Sequence, residues 1–187
     1  MKKGLFLLLT VFGTASFFMP SVSPVRAATP PSPSDICESF GVQMFPTKKE
    51  APPFTLKRMD GGSTTLSECR GKPVVLFFWG TWCEACKEDI LLFEKLAEGK
   101  KDQAYFLTVL VDGEREKRGR QIVEKLKVTL PVLMVVKEKV IDTYEVRMIP
   151  MVTVIDEQGA VVGKIIGQRD WSKPEAWTVI KWLTGLR

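Results

Sequence analysis

Cys83 and Cys86, in Trp82-Cys83-Glu84-Ala85-Cys86, stand where an all-apolar run at residues 74–79 gives way to a helical pattern. A helix start presents N–H groups without intrahelical partners and a partial positive charge, which favours thiolate over thiol at the first cysteine. The thiolate is the nucleophile of disulfide exchange. A second thiol one turn further in can attack the resulting mixed disulfide and release its partner. The same spacing serves zinc knuckles and structural disulfides. A zinc site needs two more ligands, yet the chain has no histidine, and its other cysteines, Cys37 and Cys69, form no second C-x-x-C. Disulfide exchange is the reading that uses every part of the motif.

The elements that must hold this motif follow from periodicity. Residues 74–79 are apolar at every position, as in a strand covered on both faces. The helix over 83–98 places Cys86, Ile90, Phe93 and Ala97 on one stripe, and Gly99 suits its C-terminus. Residues 104–111 form a second buried strand and 114–127 a second helix, with Ile122, Val123 and Leu126 inward. A βαβ crossover of this kind makes the two strands parallel. Residues 132–136 are strand-like and are followed by a short ambiguous piece to Val146. Residues 151–155 and 160–166 flank Asp156-Glu157-Gln158-Gly159, a hairpin signal. Ser172-Lys173-Pro174-Glu175 reads as a capping box with proline in the first turn. It opens a last helix with Ala176, Trp177, Ile180 and Leu183 inward. Upstream, residues 54–58 and 63–66 flank Asp60-Gly61-Gly62, another hairpin. The predicted class is α/β, a mixed sheet flanked by helices with an extra N-terminal β-hairpin.

The start of the 187-residue chain reads as an export signal. Lys2 and Lys3 precede an apolar stretch at 4–19, and Val25-Arg26-Ala27 is a small-x-small cleavage site. The stretch is shorter than the ~20 residues a membrane span wants, so cleavage is favoured over retention as an anchor. Three parts are therefore expected: a signal peptide at 1–27, a proline-containing tether or extension at 28–47, and a domain at 48–187. Removing the signal leaves 24 of the 27 basic residues against 22 acidic ones. This near-balance gives no basis for binding nucleic acid or an anionic surface. Export implies a periplasmic or other extracytoplasmic setting, where disulfides persist unless something reduces them. A C-x-x-C protein there is either an oxidant or a reductant fed with electrons across the membrane.

The chain resembles the exported thioredoxin-like proteins of the TlpA/ResA type. The resemblance is carried by Ala51-Pro52-Pro53-Phe54-Thr55-Leu56, Asp60-Gly61-Gly62, Leu66-Ser67-Glu68-Cys69-Arg70-Gly71-Lys72-Pro73, Phe78-Trp79-Gly80-Thr81-Trp82-Cys83-Glu84-Ala85-Cys86-Lys87, Ile149-Pro150 and Ile155-Asp156-Glu157-Gln158-Gly159. It implies a thioredoxin fold and a membrane-linked thiol–disulfide oxidoreductase, often a reductant in cytochrome c maturation. It also implies that Pro150 is a cis-proline facing the active site, where neighbouring backbone pairs with a substrate segment. The plainer reading of Pro150 is a strand-start proline. Trp82 and Ile149 are the other expected substrate contacts. We expect no cofactor, and a monomer that reduces protein disulfides with electrons from a membrane thiol protein. The departures are Ala85 for a usual proline, Asp89 for a usual glutamate, Leu91 for a kinking proline and Met151 for a usual threonine. Phe77 occupies the place of the buried acid of cytoplasmic thioredoxin.

Asp89 falls on the buried stripe of the motif helix, three residues after Cys86. Carboxylates are seldom buried without a partner or a task. Desolvation would raise its pKa and fit it to take the proton from Cys86 as that thiol attacks; otherwise it sits at the surface and complements the helix dipole. Glu84, between the cysteines, opposes thiolate formation at Cys83 and so tunes the potential, unless solvent screens it. Cys37 and Cys69 are expected to pair as a structural disulfide, since unpaired thiols are liabilities outside the cytoplasm. Two other functions share parts of this pattern: a peroxidase of the peroxiredoxin class, and a copper or zinc carrier using the two thiolates.

Overall fold

The computed structural model describes residues 31–45 and 47–186, so the expected signal peptide at 1–27 lies outside the described residues. The first helix, α1 (Pro33–Ser39), starts within the segment expected to be a tether. Ser32 caps it: its hydroxyl accepts the Asp35 N–H, and the Asp35 carboxylate accepts the Ser32 N–H. Cys37 on its inner side is buried, and Phe40, just past its end, packs edge-on against Trp171 at 5.3 Å. Two very short strands follow, β1 (Val42–Gln43) and β2 (Lys49–Glu50), and both pair with a strand near the C-terminus. From Pro33 onward the extension is therefore part of the folded domain. The reason is nonlocal packing by Cys37 and Phe40, which proline content conceals.

The expected hairpin forms as β3 (Thr55–Arg58) and β4 (Ser63–Thr65). After it come β5 (Val74–Trp79), α2 (Glu84–Ala97), β6 (Tyr105–Leu110), α3 (Glu116–Leu126) and β7 (Val132–Met134). The strand expected over 132–136 thus ends two residues early. A single helical turn, α4 (Val140–Thr143), occupies the ambiguous piece. β8 (Met151–Ile155), β9 (Ala160–Ile166) and α5 (Pro174–Thr184) complete the domain. The mixed sheet runs β1-β9-β8-β5-β6-β7-β3-β4. β5, β6 and β7 are parallel, whereas β8 lies antiparallel to β5.

Alternate residues of β5 serve different faces, as strand geometry requires. Val75, Phe77 and Trp79 join a core built with α1, α2 and α5, against which Ile122, Val123 and Leu126 of α3 pack half-buried. Val74, Leu76 and Phe78 join the opposite core with Leu56, Val140 and Tyr144. This alternation bears on the remaining cysteines. Cys37 belongs to the first core and Cys69 to the second, and both are free thiols. The expected Cys37–Cys69 disulfide is therefore corrected, because the sheet separates the two residues. Burial raises the pKa of both thiols, and at Cys69 the Glu68 charge adds to it, so neither is activated. Mass mapping of unreduced protein should recover both as thiols that alkylate only on unfolding. A linked Cys37–Cys69 peptide would overturn the assignment.

The capping box expected at Ser172 is also corrected. Its hydroxyl and N–H both turn back to the Asp170 carboxylate, a local competitor two residues away. α5 then starts with Lys173 as an N-cap that makes no side-chain bond and with Pro174 in its first turn.

Candidate active site

β5 and β6 are parallel, so their C-terminal ends lie side by side, and the Val111 N–H donates to the Trp79 carbonyl at 2.8 Å. The motif leaves the sheet at this end, the usual place for a site in an open α/β sheet. Thr81, fully buried, donates its N–H and its hydroxyl to Asp112, at 3.0 and 2.6 Å. The turn that presents Cys83 is thereby tied to the strand next door. Sequence reasoning passed over Asp112. Its one signal is an acid just past the C-terminal end of a strand in a βαβ unit.

Cys83 is the N-cap of α2, with extended backbone, and its sulfur accepts the Cys86 N–H at 3.2 Å. Cys83 and Cys86 form a disulfide with Cα atoms 5.3 Å apart. Cys86 is fully buried, while Cys83 keeps a small opening to solvent. Cys83 thus stands at the helix start towards solvent, with Cys86 enclosed behind it.

Two apolar side chains cover the turn before Cys83. A Cβ at Gly80 would lie 3.1 Å from both the Ile149 side chain and the Trp82 indole nitrogen. Glycine is what lets those two side chains close over the turn. Trp82 is 58% exposed, and Met148 beside Ile149 is also exposed. The Ile149–Pro150 bond is cis, as the resemblance implied, and stands immediately before β8. Trp82 and Ile149 thus come together over Gly80, in the turn that carries Cys83.

Asp89 lies inside, fully buried on α2, one turn past Cys86. One carboxylate oxygen accepts the Arg169 backbone N–H at 3.1 Å and the Trp171 indole N–H at 3.4 Å; the other has no partner. Desolvation raises its pKa above the ordinary carboxylate value despite these donors. Phe77 of β5 is fully buried and stacks on Phe93 of α2 at 5.1 Å. Asp89 is thus a fully buried acid on the inner face of α2.

Glu84 lies at the surface beside the couple. It is exposed and ion-paired with Lys87, which holds its carboxyl below the usual range, and Arg118 and Lys125 add to this. A paired, solvated carboxylate projects little field onto Cys83. Of the two readings of Glu84, this pairing with a partner three residues on along the same helix favours screening.

A disulfide-forming C-x-x-C at the N-terminus of the helix that follows a central strand of a mixed sheet is the arrangement of a thioredoxin-like thiol–disulfide oxidoreductase. Residues 47–164 match the AhpC/TSA family, and the chain belongs to that family. It is 33% identical over 129 residues to the thiol–disulfide oxidoreductase ResA of Bacillus cereus, covering 69% of this chain and 75% of that protein. ResA of Bacillus subtilis is 30% identical over 127 residues, covering 68% and 71%. In fold it is similar to the thioredoxin domain of a Bacteroides vulgatus thiol–disulfide oxidoreductase, with a TM-score of 0.64 and 24% identity over 75% of this chain and 99% of that one.

Proposed function

We propose that the protein is an extracytoplasmic reductant of protein disulfides. It would draw electrons from a membrane-bound thiol protein and pass them to substrates such as the C-x-x-C-H disulfide of an apocytochrome c. The signal-like first 27 residues support the location. The observation that carries the direction is the environment of Cys83. Among the described residues its sulfur receives one hydrogen bond, from the Cys86 N–H, and no cationic side chain contacts it. A thiol not strongly stabilised as thiolate makes the disulfide form comparatively stable, and the couple reducing.

In the reaction, the Cys83 thiolate attacks one substrate sulfur and expels the other as a thiolate, which takes a proton from solvent. The Cys86 thiol then gives its proton to the Asp89 carboxylate and attacks the Cys83 sulfur. The Cys83–Cys86 disulfide forms as the Cys83–substrate bond breaks; the second substrate sulfur leaves as a thiolate and takes a proton from solvent, and Asp89 returns its proton to solvent. Two electrons pass from the dithiol to the substrate. Asp89 suits the second step because it lies on the buried face with Cys86 and has one unpartnered oxygen. Thr81 and Asp112 hold the turn, while Trp82, Ile149 and Pro150 receive the substrate segment.

The reduction potential tests this direction. Equilibrated against glutathione, the couple should lie nearer the ~−270 mV of thioredoxin than the ~−120 mV of the strongly oxidising DsbA. A value above about −180 mV would defeat the reductant direction and leave the oxidoreductase class standing.

A further inference from the structure

The loop from β9 to α5 does more than connect them. Gln168 donates its side-chain N–H to Glu88 at 2.8 Å, and the Arg169 backbone and Trp171 indole both donate to Asp89. Neighbouring acids of α2 are thus bracketed by one loop. The same loop holds the N-terminal segment. The Arg169 Nε–H donates to the Phe40 carbonyl at 2.7 Å, and Phe40 packs edge-on against Trp171. Gly41 has φ +74°, and a Cβ there would fall 2.1 Å from the Arg169 guanidinium. The positive φ favours glycine at that position, and a larger residue would push the Arg169 guanidinium aside. Trp171 also meets Phe93 of α2 edge-on at 5.7 Å, so its indole is pinned from two sides.

We infer that Arg169 and Trp171 are positioning residues for the acid of the resolving step, and that the N-terminal segment through Phe40 and Gly41 sets their placement. The segment thereby becomes a wall of the active-site acid's pocket, although it touches neither cysteine of the couple through any hydrogen bond. This rests on the reading of Asp89 as proton acceptor given above. The donors from the loop favour the charged form of Asp89, against the desolvation that opposes it. The charge bearing on Asp89 is the Arg169 guanidinium. The titratable members of the surrounding core are Cys37 of α1 and the two cysteines of the couple, while β5, β8 and α5 contribute apolar side chains. Glu88, the neighbouring acid, is engaged by Gln168.

The test is the pH dependence of resolution, measured as release of a disulfide-linked peptide from Cys83 in a single turnover. Asp89→Asn comes first, and loss of the wild-type inflection in that variant establishes the acid itself. Trp171→Phe keeps an aromatic ring but removes the N–H donor. It should move the inflection upward by about one unit, the worth of one hydrogen bond to a charged group. Phe40→Leu, which contacts Asp89 nowhere in the bond network, should move it in the same direction by less. Arg169→Met keeps the backbone N–H and removes both the link to Phe40 and the charge bearing on Asp89, so it should also move the inflection upward, and it tests the bracket should either aromatic variant fail to fold. If Asp89→Asn abolishes the inflection while the folded variants leave it in place, the bracket is overturned and the acid stands. If Asp89→Asn keeps the inflection, the reading of the acid is what has failed.

Discussion

Cys86→Ser should stop turnover and accumulate mixed disulfides through Cys83. Only Cys83 combines the N-cap position of α2 with an opening to solvent. Cys86 lies one turn deeper and is fully buried, so a substrate sulfur has no path to it. In the wild-type chain the resolving thiol is held against the mixed disulfide, and intramolecular attack in such geometry corresponds to effective molarities on the order of 10⁵ M or more. Serine leaves only attack by external thiols at ordinary concentrations, so resolution should slow by several orders of magnitude. Mixed disulfides captured in unreduced gels and mapped by mass spectrometry are the readout. Adducts on Cys86 in Cys83→Ser, formed as readily as those on Cys83 in Cys86→Ser, would reverse the roles.

The parts of this site that could be read in advance are those whose signals are local. β5 declares itself by six apolar residues, and α2 by a stripe that runs through Cys86 to Ala97. The burial of Asp89 follows from its place between Cys86 and Phe93 on that stripe. The hairpins follow from Asp60-Gly61-Gly62 and Asp156-Glu157-Gln158-Gly159. The cis-proline came from resemblance, since the dipeptide Ile149-Pro150 alone does not distinguish it from a proline at a strand start.

What escaped was set by contacts between distant segments or by competition between near ones. α1 is short and proline-bearing, and what folds it onto the domain is Phe40 against Trp171, far along the chain. Asp112 reads as an ordinary polar residue after a strand until the parallel pairing of β5 and β6 brings Thr81 to it. Ser172 has the pattern of a cap, but Asp170 captures its hydroxyl first. The Cys37–Cys69 pairing was argued from the redox compartment, and that argument carries no information on which face of the sheet each residue occupies. Lys87 was within reach of a helical i,i+3 rule, and its pairing with Glu84 favours the screened reading.

Asp89→Asn should slow resolution by roughly 10² to 10⁴, the usual worth of a positioned general acid or base. Asparagine retains an acceptor for the Arg169 and Trp171 donors, so the bracket should survive while the proton acceptor does not. Attack by Cys83 on substrate should be unaffected, and the equilibrium potential should change little, because the role is kinetic. The variant also has a signature in stability. Asp89 titrates higher in the folded protein than an unperturbed aspartate. Between the unfolded and folded values the native state therefore binds more protons than the unfolded one, and its stability falls as pH rises through that window. The unfolding free energy of Asp89→Asn relative to wild type should accordingly climb as pH rises from about 4, the ordinary aspartate value, and level off above the folded one. Denaturant unfolding of the oxidised forms at several pH values measures it. A variant that resolves as fast as wild type, with the same pH profile and no such climb, would make Asp89 a buried structural residue and leave Cys86 to lose its proton to solvent.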